Sequence, residues 1–226
     1  MNPLKIIIGA SLAMHSLWLA AEPLDALEFR NLGPTRGGRV TAVGGTVAEQ
    51  GTFYLGASGG GVWKSTDYGT TWNNVSDGFF ASPSIGAIAV SQNDPNILFV
   101  GTGSEGLRSN VIPGKGVYKS VDGGRNWLHM GLEKTAHIGA VEIDPRNNST
   151  VWVAAVGNAF APNEERGVYK TTDGGRSWER VLHVSDRVGF ADVELLPGNP
   201  DVVFATAWRA ERKPWTIISG GEQEEG

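Results

Sequence analysis

Three segments of the chain share one pattern, and the clearest copy reads Ser120-Val121-Asp122-Gly123-Gly124-Arg125-Asn126-Trp127. The other copies are residues 65–72 and 171–178, and we call all three the box segments. Their aspartates are 55 and 51 residues apart. A period of this length is typical of stacked supersecondary units and not of one irregular domain, so the sequence predicts a tandem array.

Each box segment lies between β-rich runs. A strand is predicted directly before it, at residues 61–64, 116–119 and 167–170, and another begins at its Trp, so the box segment is the turn of a hairpin. Two further strands precede each hairpin. In the last copy they are predicted at residues 191–195 and 202–207, joined by a turn at Asn199-Pro200.

The residues of the box segments have a local structural explanation. A short Asp side chain accepts hydrogen bonds from the N–H groups of its own turn, the Gly two positions later takes a positive φ, and the Trp covers the hairpin. The positions with these predicted structural roles are Asp67, Gly69, Trp72, Asp122, Gly124, Trp127, Asp173, Gly175 and Trp178. We therefore do not expect the three aspartates to be catalytic acids.

Four short antiparallel strands in a unit of about 50 residues are typical of one blade of a β-propeller. A β-solenoid is the alternative, but its coils take roughly half as many residues. The prediction is an all-β partial ring of about three complete four-stranded blades and an incomplete fourth. The blade units are predicted at residues 38–76, 84–130, 137–181 and 189–226, and the last unit has no box segment.

The repeated boxes resemble those of the Asp-box β-propellers, also called bacterial neuraminidase repeats, over roughly residues 28–226. The chain is most similar to sortilin N-terminal-like propellers and to secreted bacterial proteins of the glycosyl-hydrolase-like or photosystem-assembly-factor-like type. The resemblance implies a ring of more blades than this chain supplies, so we expect an N-terminal fragment. Self-association of two copies to complete a ring is the alternative.

Residues 1–21 have the features of a secretory signal peptide, with Lys5, an apolar stretch and Ala20-Ala21 before Glu22. Cleavage would leave residues 22–226 as the propeller, and a retained anchor is the alternative. The absence of cysteine fits a secreted or periplasmic bacterial protein, and it argues against the cysteine-rich module of true sortilins. No segment after the leader is long and apolar enough to span a membrane.

The charge pattern argues against several kinds of ligand. The net charge is −5 with scattered Lys and Arg, which disfavours nucleic-acid binding. The four histidines are scattered, and there is no calcium-binding or phosphate-binding loop motif, so neither a metal nor a cofactor is predicted.

The copies differ most in the loops after the second strand, which emerge on the face opposite the box segments. These loops are predicted at residues 58–60, 103–115, 157–166 and 208–221. Variable loops on a repeated scaffold are the expected binding surface. The predicted binding residues are Arg108, Arg166, Trp208, Arg209, Arg212 and Trp215, with His137, Asp186 and Arg187 from the loops after the fourth strand.

A glycosidase needs two carboxyl groups beside one bond. The candidate catalytic residues are Glu105, Glu164, Glu165 and Glu211. The resemblance to xyloglucanases argues against catalysis, because Ser58 stands at the position of their catalytic Asp in a Thr-Asp-Ile-Gly-Gly run. Phe29-Arg30-Asn31-Leu32 only partly matches the sialidase motif Phe-Arg-Ile-Pro, and residues 27–32 instead predict a ring-closing strand.

The sequence therefore favours a secreted or periplasmic, non-catalytic scaffold that binds a protein or carbohydrate partner. The alternative is a glycoside hydrolase of the Asp-box propeller type, acting on a polysaccharide, with part of its site in further blades.

Overall fold

Strands form nearly all of the regular secondary structure in the part of the chain that the structure describes. The structure is a computed structural model, and it describes residues 39–108 and 110–219. The chain divides into two units, and all of the described residues belong to the unit Arg36–Gly226. The predicted signal peptide and the predicted ring-closing strand at residues 27–32 lie outside the described residues.

The strands form three four-stranded antiparallel sheets and one three-stranded sheet, each in simple chain order. Blade 1 contains β1 (Val40–Gly45), β2 (Phe53–Ala57), β3 (Gly61–Ser65) and β4 (Asn73–Asn74). Blade 2 contains β5 (Ile85–Val90), β6 (Leu98–Thr102), β7 (Val117–Ser120) and β8 (Leu128–His129). Blade 3 contains β9 (Ile138–Ile143), β10 (Val151–Ala155), β11 (Gly167–Thr171) and β12 (Glu179–Leu182). Blade 4 contains β13 (Val188–Leu196), β14 (Asn199–Arg212) and β15 (Ile217–Ser219), so the prediction of three complete blades and an incomplete fourth is confirmed.

The apolar core lies between successive blades. The first strands of neighbouring blades, β1, β5, β9 and β13, lie side by side. Each interface has its own cluster of buried side chains, such as Tyr54 with Ile85 between blades 1 and 2, and Phe99 with Val153 between blades 2 and 3. Val168 and Phe190 belong to the third cluster. The β-strand period of two thus gives each sheet two faces that pack on its neighbours.

Glycine near the start of the first strand permits this close packing. A Cβ atom on Gly86 would lie 1.9 Å from the carbonyl oxygen of Ile138 in the next blade, and one on Gly139 would lie 2.2 Å from that of Ala191. Because backbone atoms would have to move, these two positions require glycine.

The box segments form tight turns around their aspartates. Asp122 Oδ1 accepts hydrogen bonds from the N–H groups of Arg125 and Asn126, at 3.0 and 2.9 Å, and from the Ser120 hydroxyl at 2.8 Å. Together with a bond from the Asn126 side chain, which is the largest contribution, these donors lower the pKa of Asp122 to about 2. Asp67 has the same arrangement, and its pKa is also about 2. The carboxylates therefore stabilise their own turns.

The Trp of a box segment joins its blade to the preceding blade. The Trp127 indole donates to the carbonyl of Val75 in blade 1 at 2.8 Å. The Trp178 indole donates to the carbonyl of Met130 in blade 2 at 2.6 Å. In blade 1 the Trp72 indole instead donates to Gly69 of its own turn at 2.9 Å.

The fourth sheet differs from the prediction in two places. The turn lies at Pro197-Gly198 and not at Asn199-Pro200, because Gly198 takes a positive φ of 81° and Leu196 pairs with Asn199. The segment 208–212, predicted as a loop, continues β14, because residues 208 and 209 pair with β13 and β15 folds back to pair with residues 210–212.

We expect Trp127→Phe to lower the free energy of unfolding by about 1–3 kcal/mol, because the Val75 carbonyl loses its donor at a blade interface. Trp72→Phe is the matched control, since it removes a bond within one turn, and it should cost less than about 1 kcal/mol. Urea unfolding of both variants and the parent measures the difference. Equal losses of unfolding free energy in the two variants would show that the hydrogen bond between blades contributes no more than the one within a turn.

Candidate functional site

The loops of blades 2, 3 and 4 meet on the side of the sheets opposite the box segments. We call this surface the loop face, made of residues 103–108, 110–115, 157–166 and 208–219. Leu107, Ala159 and Ala210, one from each of these blades, are buried in a shared cluster. Val111 and the half-buried Trp208 pack against it. The loops therefore have a small core of their own.

Hydrogen bonds to backbone carbonyls connect the loops and reinforce this core. The Arg212 N–H donates to the carbonyl of Ala159 at 2.6 Å, and its guanidinium Nε donates to the carbonyl of Arg108 at 3.1 Å. The Asn163 N–H donates to the carbonyl of Asp186 at 2.7 Å. The predicted binding residue Arg212 thus fixes the loops to one another.

Arg166 lies in the interior and not on the surface where its predicted role would place it. Its side chain is 1% exposed. The guanidinium donates to the carbonyls of Val156 at 2.9 Å, Asn158 at 2.6 Å and Ala210 at 3.3 Å. Burial lowers its pKa, while the negative charges of Asp186 and Glu211 act in the opposite direction. Because three carbonyls from blades 3 and 4 converge on it, Arg166 stabilises the loop face from below.

Trp208 and Trp215, the two tryptophans predicted to bind a ligand, differ in how accessible their indoles are. Trp208 lies on β14, where its indole donates to the Ser219 hydroxyl at 2.9 Å. Trp215 is 85% exposed at the tip of the hairpin between β14 and β15. Only Trp215 has its aromatic face largely available to a ligand.

A small pocket on the loop face is lined by three arginines. Its walls are formed by Ala161, Pro162, Arg166, Arg187, Arg209, Ala210 and Glu211. Lys213 pairs with Glu211, and this pairing, with smaller contributions from Arg187 and Arg166, lowers the pKa of Glu211. Arg187 and Arg209 bring positive charge to this pocket beside the Arg166 guanidinium, whose terminal nitrogen donors are committed to backbone carbonyls. Lys213 offsets the charge of Glu211, so the electrostatics of the pocket favour an anionic group.

A family model described as sortilin, neurotensin receptor 3 (Sortilin-Vps10) matches residues 60–216. The chain belongs to the Sortilin-Vps10 family. The match covers β3 and β4 of blade 1, all of blades 2 and 3, and blade 4 up to the residue before β15. No curated protein matches the sequence.

Solved structures share the fold of this Sortilin-Vps10 chain at low sequence identity. An ancestral GH74 enzyme aligns with a TM-score of 0.60 and 22% identity over 79% of this chain and 23% of the enzyme. The GH74 xyloglucanase from Xanthomonas campestris aligns with a TM-score of 0.51 and 18% identity over 80% and 30% of the two chains. YCF48 bound to a D1 peptide aligns with a TM-score of 0.50 and 13% identity over 73% and 47%. The chain thus spans less than a third of the length of these GH74 enzymes.

The four candidate catalytic carboxylates do not form a recognisable acid and base pair. Glu164 is exposed, and Glu105 is half-buried without a hydrogen bond to any described residue. Glu165 accepts a hydrogen bond from the Tyr169 hydroxyl at 3.3 Å. Glu211 is ion-paired with Lys213, which favours its deprotonated form over that of a general acid. Within the described ranges no three His, Asp or Glu side chains are grouped so as to hold a metal ion.

Sequence reasoning missed Glu142, which lies on the inner strand β9. Burial raises its pKa to about 7, and the nearby carboxylates of Glu194 and Asp192 on β13 add to the effect. Glu142 also lines a groove along the inner strands of blades 1 to 3. In the sequence, Glu142 is a polar residue in an alternating strand, which is only a weak indication of a functional role. The packing of blade 4 beside it explains the raised pKa.

His137 was assigned to the surface by its loop position, and the structure buries it completely. Neither ring nitrogen has a hydrogen-bond partner among the described residues. Burial lowers its pKa to about 4, and the positive charge of Arg166 contributes, while the Ser104 backbone acts weakly in the opposite direction. His137 is therefore neutral at physiological pH and cannot bind a ligand as a surface cation.

Within the described parts of the chain, no helix is long and apolar enough to cross a membrane.

We expect Arg166→Met to lower the free energy of unfolding by about 2–4 kcal/mol, because three converging carbonyls lose their donor. Arg108→Met is the control, since that side chain is exposed and should change stability by less than about 0.5 kcal/mol. Denaturant unfolding measures both. Similar stability of the two variants would contradict the structural role of Arg166.

We expect Glu142 to make the protein less stable as the pH rises. Its folded-state pKa of about 7 lies above the ordinary value of 4.5, so the stability it contributes is present below pH 4.5 and is lost as the pH rises through 7. The free energy of unfolding should fall more between pH 5 and pH 8 in the parent than in Glu142→Gln. Glu49→Gln, at an exposed position, should behave like the parent. Equal falls in the parent and Glu142→Gln would contradict the raised pKa.

Proposed function

We propose that this chain is part of a secreted or periplasmic, non-catalytic scaffold that binds an anionic group of a protein or glycan partner on its loop face. The leader-like residues 1–21 support export. We further propose that the box segments are Asp boxes, which the hydrogen bonds around Asp67, Asp122 and Asp173 support.

One observation carries the binding proposal: the pocket that contains Arg166, Arg187 and Arg209. Arg166 is fixed by three backbone carbonyls, so one wall of the pocket is rigid. A preorganised site loses less entropy when a ligand binds. The shared core of the loops holds the rest of the surface in place, as a binding scaffold requires.

The comparisons are compatible with a binding role. YCF48, which shares the fold, is bound to a D1 peptide in its solved structure. A propeller of this kind can therefore recognise a polypeptide, although a shared fold does not determine function.

A direct test uses a fluorescent poly-glutamate peptide and polygalacturonate as anionic probes, with neutral dextran as the reference. Binding to either anionic probe should weaken at least about tenfold in the Arg187→Met/Arg209→Met double variant, because both charges line the pocket. The control is Arg125→Met/Arg176→Met, which removes two exposed charges from the box segments on the opposite face. Fluorescence anisotropy and affinity electrophoresis measure the peptide and the polysaccharide, respectively.

The control should retain the parent affinity. Equal weakening in both double variants would show only a general charge effect, and no binding of either probe by the parent would also count against the proposal.

A glycoside hydrolase of the Asp-box propeller type is the second candidate, because Glu142 has the raised pKa that a general acid needs. GH74 enzymes share the fold. Ser58, at the position of the xyloglucanase Asp, and the ion pair of Glu211 argue against it. Hydrolysis of xyloglucan by the parent, abolished in Glu142→Gln, would favour this candidate over the scaffold.

A further inference from the structure

The chain that follows β15 starts beside the arginine pocket of the loop face. β15 runs antiparallel to β14, with Ile217 paired to Arg212 and Ser219 paired to Ala210. Ala210 lines the pocket. Each step along β15 moves one residue back along β14, so at Ser219 the chain heads toward Arg209, which also lines the pocket.

Hydrogen bonds fix the position of this hairpin on the loop face. The Trp208 indole donates to the Ser219 hydroxyl at 2.9 Å and so ties the last described residue of β15 to β14. The Arg212 N–H donates to the carbonyl of Ala159 in blade 3 at 2.6 Å. The residues after Ser219 therefore begin from a defined point next to the pocket.

The sequence that follows is strongly acidic. It reads Gly220-Gly221-Glu222-Gln223-Glu224-Glu225, and it lies outside the described residues. We call residues 222–225 the acidic segment, because no other stretch of four residues in the sequence has three carboxylates. The two glycines before it restrict the backbone little, so the chain can turn there.

The acidic segment is within reach of the pocket. An extended chain gains at most about 3.6 Å per residue, so Glu222 is at most about 11 Å from Ser219 and Glu225 at most about 22 Å. Paired residues of antiparallel strands lie about 5 Å apart, which places Ser219 close to Ala210 on the pocket wall. The carboxylates can therefore enter the pocket while every described strand stays in place.

The charges of the pocket complement those of the acidic segment. Arg187 directly precedes Val188, which pairs with Arg209, so the two arginines come from neighbouring positions beside β13 and on β14. Glu211 also lines the pocket, and Lys213 offsets its charge. Because guanidinium groups bind carboxylates through charge-assisted hydrogen bonds, a nearby run of glutamates is a suitable occupant.

We propose that the acidic segment of the chain itself occupies the arginine pocket and competes there with anionic ligands from outside. A short flexible connection gives a tethered group an effective concentration in the mM range, so even a weak contact keeps the pocket largely filled. An outside ligand then has to displace the segment, which lowers its apparent affinity. This competition rests on the proposed function, whereas the docking of the segment does not.

Disulfide trapping tests the docking without any ligand. The chain has no cysteine, so Pro162→Cys/Gln223→Cys can form only one disulfide within a molecule, and it keeps every arginine and glutamate. Pro162 is exposed and lines the pocket. The control Asn110→Cys/Gln223→Cys uses an exposed position of the loop face outside the pocket lining. With diamide as oxidant, the first pair should form its disulfide at least about tenfold faster, because the bond needs Cα atoms within about 7 Å.

The charge dependence of the disulfide separates docking from mere proximity. Changing all three glutamates of the acidic segment to glutamine in Pro162→Cys/Gln223→Cys should slow the disulfide to the rate of the Asn110→Cys control. An unchanged rate would overturn the proposal. Disulfides that join two molecules, at a rate that rises with protein concentration, would also overturn it and would identify a second copy as the source of the segment.

The competition is measured with the fluorescent poly-glutamate peptide. Glu222→Gln/Glu224→Gln/Glu225→Gln, the segment variant, should bind the peptide about two- to tenfold more tightly than the parent, because the tethered competitor is lost. A matched control makes the same change of net charge at three exposed glutamates elsewhere and should keep the parent affinity. Its substitutions are Glu49→Gln, Glu133→Gln and Glu179→Gln.

The failure of this inference differs from the failure of the proposed function. Equal affinities of the parent, the segment variant and the control would overturn the competition, while a dependence of binding on Arg187 and Arg209 would leave the proposed function intact. Absence of peptide binding in both the parent and the segment variant would count against the proposed function. The disulfide rates would still decide whether the acidic segment docks in the pocket.

Discussion

The carbonyl oxygen of Gly123 is the point on which the interface between blades 1 and 2 depends. The turn around Asp122 places Gly123 at a positive φ of 71°, so that its carbonyl faces back toward the preceding blade. There it accepts hydrogen bonds from the Tyr54 hydroxyl and the Lys64 ammonium. A local hydrogen-bond pattern within eight residues therefore fixes one sheet against the next. Because the box segment repeats, this contact also repeats between blades 2 and 3.

The contacts between successive blades also explain which positions of the chain can vary in sequence. The box segments and inner strands meet their neighbours through backbone carbonyls and close glycine contacts, so these positions accept few substitutions. The loops on the opposite face do not have to meet the requirement for close backbone contact between blades. Contacts among the loops hold them in place instead. Arg166 reinforces the small apolar core there, since three carbonyls from two blades converge on one guanidinium. The buried charge of Arg166 adds positive potential to the pocket that it lines with Arg187 and Arg209.

The sequence predicted those features that arise from local chemistry. The box turns, the blade order and the opposite placement of loops and boxes follow from patterns a few residues long. Features that depend on packing between residues far apart in the chain could not be predicted from short sequence patterns. Residues 208 and 209 form a strand because they pair with β13, and residues 210–212 because β15 returns to pair with them. Blade 4 also supplies the Ala210 carbonyl that holds the buried Arg166. Glu142 carried only a weak signal by itself, since burial by distant packing raises its pKa and the carboxylates that add to the effect lie about 50 residues later in the chain.

The buried His137, directly before β9, and the half-buried Glu142 on β9 respond to pH in opposite directions. His137 has a lowered pKa of about 4, so the stability it contributes is lost as the pH falls from 6.5 through 4. Glu142 has a raised pKa of about 7, so its contribution is lost as the pH rises from 4.5 through 7. The two changes overlap between pH 4.5 and 6.5 and offset each other there. Near neutral pH the inner groove therefore changes its charge at Glu142, while His137 stays uncharged.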